Sequence, residues 1–159
     1  MMFMSAMILM LSTGLGVFYL QAVCQKILRR RFAQEFCQPI VNANRLEFLS
    51  VRKAMETFNT PVEYPRLTLT LKCDFLALTY LLKNAANVNQ RYTSEEKLLI
   101  FYFRLLFVSL VARHWLRLRE TPAVLKLTAI LEYFANVVGE RVNAVRFGNL
   151  TASEYLLNL

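Results

Sequence analysis

The sequence predicts an all-α protein, built as a single N-terminal transmembrane helix followed by a small cytoplasmic helical bundle. Three observations predict it. Residues 1–25 carry no charged side chain and are apolar on every face of a helix. Four glycines and four prolines in 159 residues supply few of the tight turns that β-hairpins need. The remaining apolar residues recur at helical spacing behind recognisable helix-start signals. At 56% hydrophobic and a mean hydropathy of +0.35, the chain is too apolar for a disordered tail and rather apolar for an ordinary water-soluble domain.

Residues 1–25 are expected to form the transmembrane helix. About twenty residues at ~1.5 Å each cross the ~30 Å hydrocarbon layer, where the backbone must satisfy its own hydrogen bonds. A cleaved signal peptide would need its basic residues ahead of the apolar run, whereas Lys26, Arg29, Arg30 and Arg31 follow it. Gln21-Ala22-Val23-Cys24 does not make a lipoprotein box, because Val23 is too large for the position before a lipidated cysteine. Lys and Arg beside a span stay in the cytoplasm, so the N-terminus is expected outside and the rest inside, in a bacterial inner membrane or its organellar equivalent.

Residues 26–41 read as a basic juxtamembrane helix. Leu28, Phe32 and Phe36 recur every four residues and Pro39 ends or bends the run. Lys26, Arg29, Arg30 and Arg31 are the expected membrane-surface contact, either attracting anionic headgroups or simply fixing topology.

Residues 42–148 are expected to form the bundle. An amphipathic helix over 42–58 sets Leu46, Leu49, Met55 and Phe58 against Glu47, Arg52, Lys53 and Glu56. Thr60 to Pro65 breaks it, since two prolines so close cannot both sit inside a regular element. Leu67, Leu71, Phe75, Leu78 and Leu82 form one helical stripe; a strand over 67–71 would have no partner. Asn84 to Asn89 reads as a loop. Thr93-Ser94-Glu95-Glu96 is a capping box. Leu98 to Leu118 is apolar around its whole circumference except for Arg104, which predicts the central helix of the bundle. A second membrane span is the rival there, but Arg104 in its middle would cost ~2.5–3.5 kcal/mol. Thr121 as N-cap and Pro122 at the first helical position open the last long helix, which Gly148 should close. Residues 149–159 then form a tail with a short helix, Tyr155 to Leu159, behind a second capping box at Thr151.

The chemistry-bearing residues are sparse. The net charge is +8, with one Asp, Asp74, and one His, His114. Cys24, Cys37 and Cys73 match neither a disulfide framework nor a zinc spacing. No phosphate-binding loop, nucleophile elbow or metalloprotease motif is present. Beyond Arg31, fifteen basic side chains face eleven acidic ones, too thin a stripe for a nucleic-acid surface. These counts argue against an enzyme, a cofactor, a metal site and a nucleic-acid partner.

Arg104 carries the most information, because an unpaired guanidinium among leucines and valines is untenable. Asp74 or Glu132 is the expected ion-pair partner; otherwise Arg104 meets an acid on a partner or ligand. Arg113, His114 and Arg117 lie together at a helix end, forming either an anion pocket or a basic terminus that complements the dipole. Twelve Phe and seven Tyr exceed what so small a core can bury. The expected function is a non-enzymatic accessory or scaffold subunit of a multi-protein membrane assembly, with other subunits and anionic lipid headgroups as partners. The alternative is a membrane-tethered binder of a lipid or small hydrophobic acidic ligand.

Overall fold

A computed structural model describes residues 2–57, 63–84 and 91–157, with side chains from 3 to 145 within those ranges. Among the described residues every regular element is a helix: α1 (Met2–Leu28), α2 (Cys37–Asn44), α3 (Phe48–Thr57), α4 (Tyr64–Asn84), α5 (Ser94–Trp115) and α6 (Thr121–Leu157). The all-α expectation is met. Of the breaks expected over Thr60 to Pro65 and Asn84 to Asn89, residues 60–62 and 85–89 lie outside the described residues, while Tyr64 and Pro65 already belong to α4 and Asn84 is its last residue.

The long helix at the centre is α6, not α5. All five other helices pack against α6, and residues 133–139 are buried on every face of it. Its apolar character over Thr121–Val145 is therefore explained by protein, since 72% of its most apolar window is inside the bundle. The corresponding figure for α5 is 22%. Both faces of α5 are apolar, so spacing alone could not tell which one the bundle would cover.

Three tethers fix how the helices run. Tyr64 at the start of α4 stacks on His114 at the end of α5, with ring centroids 3.5 Å apart. At the far end the Tyr92 hydroxyl donates to the Thr79 carbonyl at 3.0 Å. There the Arg141 guanidinium joins α6 to both neighbours, donating to the Leu82 carbonyl at 2.6 Å and to Glu96 at 2.5 Å. Helices α4 and α5 are thus antiparallel, and α6 runs back beside them. The capping box of α5 forms as expected, the Glu96 amide donating to Thr93 and the Thr93 amide to Glu96.

The juxtamembrane helix expected over 26–41 is not continuous. Residues 29–36 leave helical geometry after Leu28, because Phe32 and Phe36 turn onto α6 instead of following α1. The Phe32 ring meets Tyr133 edge-on at 5.4 Å, and the Phe36 amide donates to Asn136 Oδ1 at 2.8 Å. Pro39 then sits in the first turn of the new helix α2, where its missing N–H leaves no hydrogen bond unmade. The helix expected over 42–58 is likewise split: Arg45 takes a left-handed φ of 52° and ends α2, and α3 begins at Phe48. Pro65 lies in the first turn of α4 for the same reason as Pro39.

At the other terminus α6 continues through Gly148 to Leu157, so the separate tail helix expected over 149–159 is instead the end of one helix. A glycine commonly ends a helix by adopting the left-handed conformation, and among the described residues no glycine has a positive φ.

Helix α1 is exposed over its whole first half, its large apolar side chains from Phe3 to Tyr19 being 53–88% accessible. Burial begins only at Leu20 and is complete at Cys24. Three helices, α1, α5 and the first part of α6, are long and apolar enough to cross a membrane.

Candidate interaction surfaces

Asp74 is buried, but Arg104 is not its partner. Asp74 Oδ2 accepts the amides of Glu47 at 3.0 Å and Phe48 at 2.7 Å, so the carboxylate holds the start of α3. Burial raises its pKa against the lowering by those two amides. Glu132, the other expected partner, is paired with Arg52, which also bridges Glu56 at 3.0 Å. Arg104 stands exposed on the outward side of α5, and among the described residues it meets no carboxylate. The buried ion pair inside the bundle is instead Arg141–Glu96, with Glu96 only 3% exposed. Its signal in the sequence, an acid inside a capping box facing an arginine forty-five residues on, is indistinguishable from ordinary capping.

Arg113, His114 and Arg117 do come together, at the turn from α5 to α6. His114 Nδ1 lies 2.7 Å from Glu120. The Arg113 guanidinium donates to the Arg119 carbonyl at 3.2 Å. Arg117 adopts a φ of 52°, and the amides of Arg117 and Leu118 return to the carbonyls of His114 and Arg113. This is a Schellman turn, with arginine in the position usually given to glycine. The three basic residues therefore end a helix.

Lys26 in the last turn of α1 and Arg29, Arg30 and Arg31 just beyond it are all exposed, and Arg30 leans toward the bundle. Its guanidinium is 3.7 Å from Glu140 and 5.6 Å above the Phe32 ring. Arg30 and Arg31 border an open cavity of about 510 Å³, together with Glu35, Arg52, Glu132 and Asn136. In that cavity acids balance most of the arginines.

Apolar surface and unpaired cations meet on the α4–α5 face. Leu69, Leu76 and Tyr80 of α4 and Val108 of α5 are exposed. Between them runs an open groove of about 320 Å³ floored by Phe75, Phe103 and Phe107 and flanked by Lys72 and Arg104. Phe75 and Phe103 stack at 4.0 Å, so the floor is rigid. Among the described residues, the one buried side-chain polar atom without a partner is the Tyr102 hydroxyl. Among the described residues no three His, Cys, Asp or Glu side chains gather as metal ligands.

Compared with known proteins, the chain matches no family model, no curated protein and no solved structure.

Proposed function

We propose that this chain is a non-enzymatic docking subunit of a multi-protein membrane assembly. In this reading α1 is a single span with its N-terminus outside, and α2–α6 form a cytoplasmic bundle that receives partner subunits on the α4–α5 face. One observation carries it. The α4–α5 groove is an exposed apolar face whose two cations, Lys72 and Arg104, pair with no carboxylate among the described residues. Apolar surface with an unmatched charge is what a partner's side chains complete. The burial of α6 supports one span over three, and the exposed Arg104 midway along α5 supports keeping that helix out of the hydrocarbon. Exposed Lys26, Arg29 and Arg31 beside α1 support the orientation and a contact with anionic headgroups.

The test is purification of the native protein in mild detergent beside the variant L76E/V108E. Stoichiometric partners that accompany the wild type and are lost from the variant support the reading; a monodisperse wild-type monomer sinks it. The binder of a lipid or hydrophobic acidic ligand rests on the same groove and its cations. Its openness favours docking over enclosure, and a bound amphiphile in place of protein partners would reverse that preference.

A further inference from the structure

The cavity of about 510 Å³ opens where α1 ends, between the segment that follows Leu28 and helices α3 and α6. Its volume is that of a small-molecule site, ~300–1,000 Å³. Leu28, Phe32 and Ala129 give it an apolar wall, and its charged side chains are of both signs. Arg52 is held by Glu132 and Glu56, and Arg30 leans on Glu140. That leaves Arg31 and Glu35. Both line the cavity, both are exposed, and neither has a charged partner among the described residues. The chain between them bends at Ala33 and Gln34 outside helical geometry, so the two face one space without meeting. A cation and an acid held apart across a cavity fit a ligand that carries both signs.

The chain itself fixes the depth of this cavity. Helix α1 bears no charge before Lys26, and Leu28 follows about 3 Å further along the axis. The headgroup layer outside the hydrocarbon is about 5–7 Å thick, so the cavity opens within it. The order of the two charges follows from α6. Tyr133 joins Phe32, just beyond α1, to Glu95 at the start of α5, and α5 runs back along α1. Helix α6 is antiparallel to α5 and therefore runs in the direction of α1. Phe32 packs on Tyr133, whereas the Phe36 amide donates to Asn136, three residues later in α6. The segment thus moves about 4.5 Å away from the hydrocarbon between those contacts. Arg31 is set nearer the hydrocarbon and Glu35 further from it.

A phospholipid presents its charges in that order, the phosphodiester beside the glycerol and the headgroup amine beyond it. Arginine takes a phosphate through paired N–H donors, and a carboxylate accepts the N–H groups of a primary ammonium. Choline offers no N–H, and a glycerol headgroup brings Glu35 no cation.

We infer that this cavity binds a phosphodiester carrying a primary ammonium, the headgroup of phosphatidylethanolamine in the leaflet where α1 ends, with Arg31 on the phosphate and Glu35 on the ammonium. This rests on α1 spanning the membrane, as proposed above. Lys26 and Arg29 remain for anionic headgroups.

The full chain is reconstituted with equal parts of phosphatidylcholine, phosphatidylethanolamine and phosphatidylglycerol, and alkaline carbonate extraction reads α1 insertion separately. Native mass spectrometry in mild detergent then identifies the retained lipid. The wild type is expected to keep phosphatidylethanolamine over the other two by about tenfold, the worth of one charged hydrogen bond. Glu35→Gln should bring phosphatidylethanolamine down to the level of phosphatidylcholine, and Arg31→Gln should lose all three. Arg29→Gln, the same charge change outside the cavity, should keep the preference. All three side chains are exposed, so the core is untouched. A preference for phosphatidylglycerol, equal retention of the three lipids, or a loss in Arg29→Gln equal to that in Arg31→Gln overturns the site. Glycerophosphoethanolamine separates headgroup from lipid. Its binding by a wild type that retains no lipid supports the site with a soluble ligand, and absence of both overturns it. Loss of carbonate resistance in the wild type sinks the span instead. Glycerophosphoethanolamine binding that Arg31→Gln and Glu35→Gln still remove would then support the cavity, and its absence would overturn the cavity as well.

Discussion

Asp74 anchors the first turn of α3 across twenty-six residues of chain, its Oδ2 accepting the Phe48 amide at 2.7 Å. The same oxygen takes the Glu47 amide at 3.0 Å, so one carboxylate oxygen satisfies two donors that α3 cannot satisfy itself. Asn can offer the same acceptor without a charge. Asp74→Leu should therefore lose roughly 1–3 kcal/mol, because it strands those donors, while Asp74→Asn should stay within about 1 kcal/mol of wild type. The folded pKa of Asp74 is raised, burial being the first cause, so the native state holds its proton to higher pH than the unfolded chain. Wild-type stability attributable to this group then falls as pH rises from the ordinary carboxyl range to the raised value, and is flat above it. Denaturant unfolding in micelles across the acid range checks this: the wild-type curve should fall relative to that of Asp74→Asn through the window.

Phe36 and Gly139 make the second relationship worth testing. A Cβ at Gly139 would collide with the Cβ and ring of Phe36, which the Asn136 side chain holds in place at 2.8 Å through the Phe36 amide. Alanine is the better helix former by about 1 kcal/mol, yet Gly139→Ala should destabilise by about 1–3 kcal/mol, since overpacking must displace the ring. Thermal unfolding of Gly139→Ala, Phe36→Gly and the double variant reads the coupling: glycine at 36 removes both the ring and the Cβ that the new methyl would meet, so the double variant should lose less than the sum of the singles. Additive losses would separate the two residues.

These contacts mark where sequence reasoning stopped. The start of α5 was legible from its local signal, the Thr93–Glu96 capping box. The start of α6 falls one residue earlier than a Thr121 N-cap predicts, since Thr121 is its first residue and the Glu120 carbonyl, not that of Thr121, accepts the Val124 amide. The stripe from Leu67 to Leu82 was legible too, because one buried face imposes its period. The expected continuity from Lys26 to Val41 failed through tertiary contacts: Phe32 and Phe36 kept helical spacing but were drawn onto α6. Arg104 was assigned a buried partner because α5 was taken as central. Two long apolar helices compete for that place, and hydropathy does not say which one the others surround.

Arg141 and Glu96 form the bundle's most buried ion pair, the guanidinium also holding the Leu82 carbonyl at 2.6 Å. Removing one partner strands the other, so Arg141→Met should cost about 3–5 kcal/mol. Arg141→Met with Glu96→Gln should recover part of that loss, because the remaining side chain is neutral and the Gln can still reach the Thr93 amide. A double-mutant cycle by urea unfolding measures the coupling; independence of the two sites would remove Arg141 as the clamp between α4, α5 and α6.

The number and direction of spans can be read with thiols. Cys24 and Cys37 are buried and Cys73 is exposed. Burial is the first cause pushing the Cys37 thiol up to about 12, which leaves almost no reactive thiolate at neutral pH. Cys73 is therefore the site a membrane-impermeant maleimide should modify. With a single span and a cytoplasmic bundle, intact cells should leave Cys73 unlabelled and inverted vesicles should label it. An introduced thiol, Arg119→Cys on a Cys73→Ser background, separates one span from more, because the α5–α6 turn lies beyond α5 in the chain. It should behave as Cys73 does if α5 stays with the bundle. Labelling of that thiol from outside intact cells, with Cys73 still protected, would make α5 a second crossing and return Arg104 to the middle of a membrane.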